Sequence, residues 1–168
     1  MFFNSIAIKQ AMLFASFYLQ KAKVSCIRQI SDNNYHLKVG GDMENRTWLY
    51  NAFFKAQDRF LVHEIESGFE PDVIYDYIHC ARLIASHHYE GAKEQNFLLC
   101  ELFLRQIYFH FLDAIQDPTR SRVFRRVCLD SIYILLMELN KCYQQVENGE
   151  RQLQRLKQKL QQIQAPLD

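Results

Sequence analysis

Glycine and proline are both scarce in this chain, at 5 and 3 of its 168 residues. Few positions that would break a helix are present, so helices with short connections are expected. An excess of charge of one sign is also lacking. Lysine and arginine total 20 against 19 aspartates and glutamates, so the field of the whole chain favours neither nucleic acid nor an acidic surface. The five cysteines, Cys26, Cys80, Cys100, Cys128 and Cys142, are odd in number and never form C-x-x-C. Free buried thiols in a reducing cytoplasm are the simple expectation. There is no glycine-rich phosphate loop, no G-x-S-x-G and no tight two-ligand cluster of the structural-zinc kind. No nucleotide, cofactor or metal is therefore assigned. Residues 11–19 form an apolar run too short to span a bilayer, with Lys9 before it and Lys21 and Lys23 after it. A first core helix is expected there, not a signal peptide or a membrane segment.

What the chain does have is helical periodicity, together with a 14% aromatic content that argues against disorder. Ser5 caps a predicted first helix to about Ala22, with Ile8, Met12, Ala15 and Leu19 along one face. Residues 24–39 then alternate around the turn formers Ser31, Asp32, Asn33 and Asn34, which predicts a small β-hairpin closed by Gly40 and Gly41. Helical spacing returns over residues 45–67 through Trp48, Ala52, Phe53, Ala56 and Phe60, with Gly68 as a C-cap signal. Pro71 opens the next helix, to about His88. Residues 92–116 form the most apolar helix, stopped by Asp117 and Pro118, and Thr119 or Ser121 caps the last one. The predicted fold class is mainly all-α. An antiparallel four-helix bundle covers residues 45–143, an N-terminal helix and hairpin cover 1–44, and an arm and tail cover 144–168.

The last third is the most patterned stretch. Read in heptads, the a positions are Ile132, Leu139, Val146, Leu153 and Leu160, and the d positions are Leu135, Cys142, Gly149, Leu156 and Ile163. Only Gly149 interrupts the apolar seam of a coiled coil or long bundle helix. Before Gln144 the flanking positions are apolar too, as in a buried helix. After it they are Gln, Lys, Arg and Glu, the narrow stripe of a coiled coil. One long helix is therefore predicted to leave the domain as a coiled-coil-like arm, roughly 30 Å long from Gln144 to Gln164 at about 1.5 Å per residue. The weak point is Asn148-Gly149, where a break would fold the arm back on the domain.

Two constellations carry alternative chemistry. Arg105 and His110 fit R-x4-H, and Arg82 and His87 fit it again. This spacing resembles the motif of HEPN ribonucleases, which are also small helical bundles. The resemblance implies an arginine that stabilises a developing phosphate charge and a histidine that handles protons. The polar residue that usually follows the arginine in that family is Gln106 in one match and Leu83 in the other, and Leu83 departs from the pattern. The bland role of Arg105 is an ion pair with Glu101 four residues before it. The second constellation is the Arg120–Arg126 cluster, whose Arg122, Arg125 and Arg126 are candidate anion ligands for a nucleic-acid-binding accessory subunit. Asp113 and Asp117, just upstream, are the competing ion partners.

The function best matched to these features is a non-enzymatic adaptor or assembly subunit, cytoplasmic, docking through its amphipathic C-terminal helix. Val146, Leu153, Leu156, Leu160 and Ile163 are the candidate partner-binding residues. Arg151, Arg155, Lys157 and Lys159 stand against only Glu147 and Glu150, so an acidic helix of another subunit or the chain's own bundle suits the arm better than a parallel self-dimer.

Overall fold

The computed structural model describes residues 42–66 and 68–164. The predicted first helix and β-hairpin lie outside the described residues. Among the described residues the chain is all-helical, with five helices and no strand. No helix among them is long and apolar enough to cross a membrane. The chain divides into two compact units, Met1–Cys80 and Ala81–Asp168.

In the first unit, α1 (Asp42–Leu61) buries Leu49, Phe53, Ala56 and Phe60, a spacing of four, three and four that follows one helix face. The helix stops at Leu61, six residues short of the predicted end at Ser67, and Gly68 serves the turn that follows it. Gly68 takes a φ of +96°, which favours glycine, and its N–H donates to the Glu70 carboxylate at 2.6 Å. The second helix, α2 (Glu70–His88), begins with Glu70 and Asp72 and ends with His87 and His88. That order of charge suits the helix dipole. Tyr77 of α2 is fully buried and its ring lies 5.3 Å from that of Phe53 and 5.2 Å from that of Phe60. Arg59 and Asp76 add an ion pair at 3.0 Å.

The boundary between the units falls within α2, and the second unit holds α3 (Phe97–Gln116), α4 (Arg122–Tyr143) and α5 (Gly149–Gln164). The third helix starts five residues later than its apolar pattern predicts, because Asn96 caps it by accepting the Leu99 N–H at 3.1 Å. It is stopped by Asp117, whose carboxylate accepts the N–H of Thr119 at 2.9 Å. Ser121 then caps α4, accepting the Phe124 N–H at 3.0 Å. The start of α3 meets the end of α4, where the Tyr143 hydroxyl donates to Glu101 at 2.8 Å, so the two helices are antiparallel.

The predicted continuous arm is corrected here. The helix ends at Tyr143, and residues 144–148, which run into the Asn148-Gly149 weak point, reverse the chain into α5, which packs on both α3 and α4. Leu153, Leu156 and Leu160 are 5%, 3% and 3% exposed. The buried Tyr108 hydroxyl of α3 donates to the backbone carbonyl of Leu156 at 2.7 Å. The physical reason is the marginality of a lone helix of this length in water. Burying each leucine on the chain's own core contributes about 1.5–3 kcal/mol, and a protruding helix forgoes that. Gly149 makes the reversal possible. It is buried in the first turn of α5, against the backbone of Tyr143.

Candidate functional site

The strongest concentration of interacting polar groups lies where the start of α3 meets the end of α4. Its hub is Glu138, the one charged residue on the buried side of α4 and only 5% exposed. It accepts from the Arg82 Nε at 2.9 Å, the Tyr89 hydroxyl at 2.7 Å and the Lys141 ammonium at 3.2 Å. Burial alone would raise the pKa of this carboxyl. The Tyr89 hydrogen bond, Arg82 and Lys141 together outweigh burial and hold it below the ordinary glutamate value. Tyr89 responds in the opposite sense: burial and its bond to Glu138 push the phenol well above its usual range.

A second carboxylate, Glu101 on α3, accepts from Arg105 at 3.0 Å and from the Tyr143 hydroxyl at 2.8 Å. Burial and that bond push the Tyr143 phenol up as well. Cys100 of α3 and Cys142 of α4 are also fully buried at this end of the unit. His88 closes the same end of the unit, its Nδ1 at 2.9 Å from the Glu94 carbonyl oxygen.

This arrangement ties helix ends together. An acid–base catalyst needs a pKa near the working pH. Here the depressed Glu138 and the elevated Tyr89 and Tyr143 are all moved away from neutrality. Glu138 and Tyr89 were missed in the sequence. The one available signal was a lone glutamate inside a stretch of α4 that is apolar on nearly every side.

The residues singled out by sequence do not converge on one another. Arg105 is held by Glu101 and lies 5.6 Å from the centre of the Phe109 ring. His110 is half-buried on the same helix, and burial lowers its pKa against the opposing charge of Asp113. Five residues along a helix turn roughly 140° about its axis, so neither R-x4-H pair shares a face. Arg82 belongs to the Glu138 hub and His87 is exposed.

The arginine cluster is also dispersed. Arg120 is buried, 4.7 Å from the centre of the Phe124 ring and 3.9 Å from Asp117. Arg122 is exposed, and Arg126 pairs with Asp130 at 3.1 Å. Arg125 is half-buried, with its Nε enclosed and unbonded. Among the described residues no group of three or more His, Cys, Asp or Glu is placed to hold a metal ion.

Of the predicted partner-binding residues, Leu153, Leu156 and Leu160 are consumed by the chain's own core, and Val146 and Ile163 are half-buried. What α5 turns outward instead is Arg151, Gln154, Arg155, Lys157, Gln158 and Lys159, all exposed. Lys159 leans over the Phe109 ring at 4.9 Å. The chain matches no family model, no curated protein and no solved structure.

Proposed function

We propose that this chain is a non-enzymatic adaptor or assembly subunit, an antiparallel helical bundle that docks an acidic helix of another protein on the outer face of α5. The observation that carries this reading is the charge of that face. Arg151, Arg155 and Lys159 follow one another there at four-residue spacing, Lys157 is exposed on the opposite flank, and Glu150 is the only acidic residue of the helix. With the leucines facing inward, recognition falls to the cations and to the glutamines between them. A single exposed ion pair contributes only about 0.2–1 kcal/mol. Several acting along one helix face set partner choice and association rate more than raw affinity. The pairing of Arg82 and Arg105 with acids of the same chain supports this reading over phosphate chemistry.

The test is a double charge reversal, Arg151→Glu and Arg155→Glu, one turn apart on the outer face of α5. Binding of an acidic amphipathic helical peptide and of a nucleic-acid duplex of matched charge is followed side by side by fluorescence anisotropy. The expected result is salt-sensitive peptide binding that the reversal weakens by about tenfold or more, about 1.4 kcal/mol, with circular dichroism unchanged. Equal peptide binding by the two proteins refutes the proposal, and a preference for the duplex moves the function to nucleic acid.

A further inference from the structure

We propose that the acidic helix docked by this protein is amphipathic and lies along the seam of α3 and α5, its apolar edge on Leu98, Leu102 and Phe109 and its carboxylates on Arg151, Arg155 and Lys159. This rests on the reading of α5 as the docking face and adds a second recognition element from α3. Leu98 and Leu102 are 71% and 57% exposed, the two most exposed large hydrophobic side chains among the described residues. With Arg105 and Phe109 they follow a spacing of four, three and four, so all four share one face of α3. Single exposed apolar residues are ordinary on a protein surface, whereas adjacent ones in a row mark a contact surface.

This row lies beside the basic row of α5. The Tyr108 hydroxyl donates to the Leu156 carbonyl at 2.7 Å, which turns Tyr108 toward α5 and sets Phe109 at the edge of the seam. Lys159 reaches across that edge to lie 4.9 Å from the centre of the Phe109 ring. The helices α3 and α4 are antiparallel and residues 144–148 reverse the chain, so α5 runs in the same direction as α3. Going back from Phe109 and Lys159 toward the helix starts, α3 therefore presents Leu102 and Leu98 while α5 presents Arg155 and Arg151, all four exposed.

The chemistry of the two rows names the occupant. A helix whose apolar edge covers the leucines brings the carboxylates on its flank over the cations. A phosphate backbone has nothing to set against Leu98 and Leu102, and Arg105, the cation of their row, is held by Glu101 at 3.0 Å. Residues 1–31 of this chain contain Lys9, Lys21, Lys23 and Arg28 but no Asp or Glu, so they lack the carboxylates the basic row calls for. A second copy fits poorly as well, because a two-fold pairing sets the cations either against one another or against the leucines.

The experiment titrates the full chain with two helical peptides of equal length and charge, by fluorescence anisotropy. Both carry glutamates along one edge. One has leucines at spacings of three and four beside them, and the other has glutamines in place of the leucines. Wild type is compared with Leu98→Gln/Leu102→Gln and with Arg151→Glu/Arg155→Glu. The leucines are exposed and glutamine is a good helix former, so the first variant keeps the fold, which circular dichroism checks. The expected result is a wild-type preference for the leucine peptide of about tenfold or more. Leu98→Gln/Leu102→Gln should lose that preference and keep salt-sensitive binding of both peptides, while the arginine reversal weakens both. Equal wild-type affinity for the two peptides, or a preference that survives Leu98→Gln/Leu102→Gln, overturns the seam and leaves the charge reading of α5 standing. Failure of the wild type to bind either peptide, or binding unchanged by the arginine reversal, overturns the reading of α5 and the seam with it. Tighter binding of a single-stranded oligonucleotide of equal charge, or a dimer in light scattering that Leu98→Gln/Leu102→Gln converts to a monomer, assigns the face to another occupant and overturns the proposal.

Discussion

Replacing Gly149 with alanine should destabilise this protein, although the same change in an uninterrupted helix would stabilise it. Alanine is better than glycine inside a helix by about 0.8–1 kcal/mol, and the substitution also restricts the unfolded chain. Were residues 144–164 a continuation of α4, Gly149→Ala would therefore raise stability by about 1 kcal/mol. In the folded-back structure the added Cβ would overlap the Tyr143 carbonyl oxygen, and it would stand 2.7 Å from the carbonyl carbon and 2.9 Å from the Tyr143 Cβ. Two of those atoms are backbone, so the conflict is relieved only by shifting the reversal itself. Overpacking of this kind costs about 1–3 kcal/mol, which exceeds the gain in helix propensity at most of its range. The net expectation is a loss of up to about 2 kcal/mol, centred near 1 kcal/mol, or roughly 2–4 °C in Tm at that centre for a chain of this size. Thermal and urea unfolding of the full chain, with far-ultraviolet circular dichroism, measure it. An unchanged or higher Tm in Gly149→Ala would refute the reversal at this residue.

Leu156→Ala should cost about 2–5 kcal/mol in urea unfolding, because the leucine is 3% exposed where α5 packs on the core. A loss under about 1 kcal/mol would mean that α5 contributes little to the fold. Glu138→Gln keeps an acceptor for the Tyr89 hydroxyl and should cost about 1–2 kcal/mol, whereas Glu138→Ala strands that hydroxyl and should cost more. The folded-state pKa of Glu138 is depressed, so its contribution is present above the unfolded value near 4.5 and is lost as pH falls through the folded value. His110 acts in the same direction: its folded pKa lies below 6.5, so the unfolded chain binds the proton more readily and stability declines as pH drops below about 6.5. A pH series of urea midpoints should show both losses in the wild type, and Glu138→Gln should flatten the lower one. Ser131 is 1% exposed with its hydroxyl unbonded, so Ser131→Ala should be neutral or stabilising by about 1 kcal/mol. A clear destabilisation would show that this hydroxyl has a partner.

Much of the second unit was legible because its signals are local. Ser121 caps α4 by a bond that spans three residues, and the heptad spacing along α4 names Ile132, Leu135 and Leu139 as core. The same spacing correctly marked Leu153, Leu156 and Leu160 as residues that must be covered. It carried no information about what would cover them, because a two-in-seven stripe fits a foreign helix and the chain's own bundle equally well. The expected end of α1 was displaced for a related reason: turn residues such as Gly68 record that the chain bends, not how many residues the bend takes.

The amino-acid order by itself determined the helical character, most helix starts and stops, the seam of buried leucines, and the cationic surplus of α5. Each of these rests on spacings of a few residues and on side-chain chemistry. Tertiary structure alone decided that α5 returns to α3 and α4, that Glu138 gathers Arg82 and Tyr89, and that Glu101 meets Tyr143. Those contacts join residues about 40 to 60 positions apart. Which of them form depends on three-dimensional packing and on the close approach of Gly149 to the Tyr143 backbone, neither of which leaves a periodic trace in the chain.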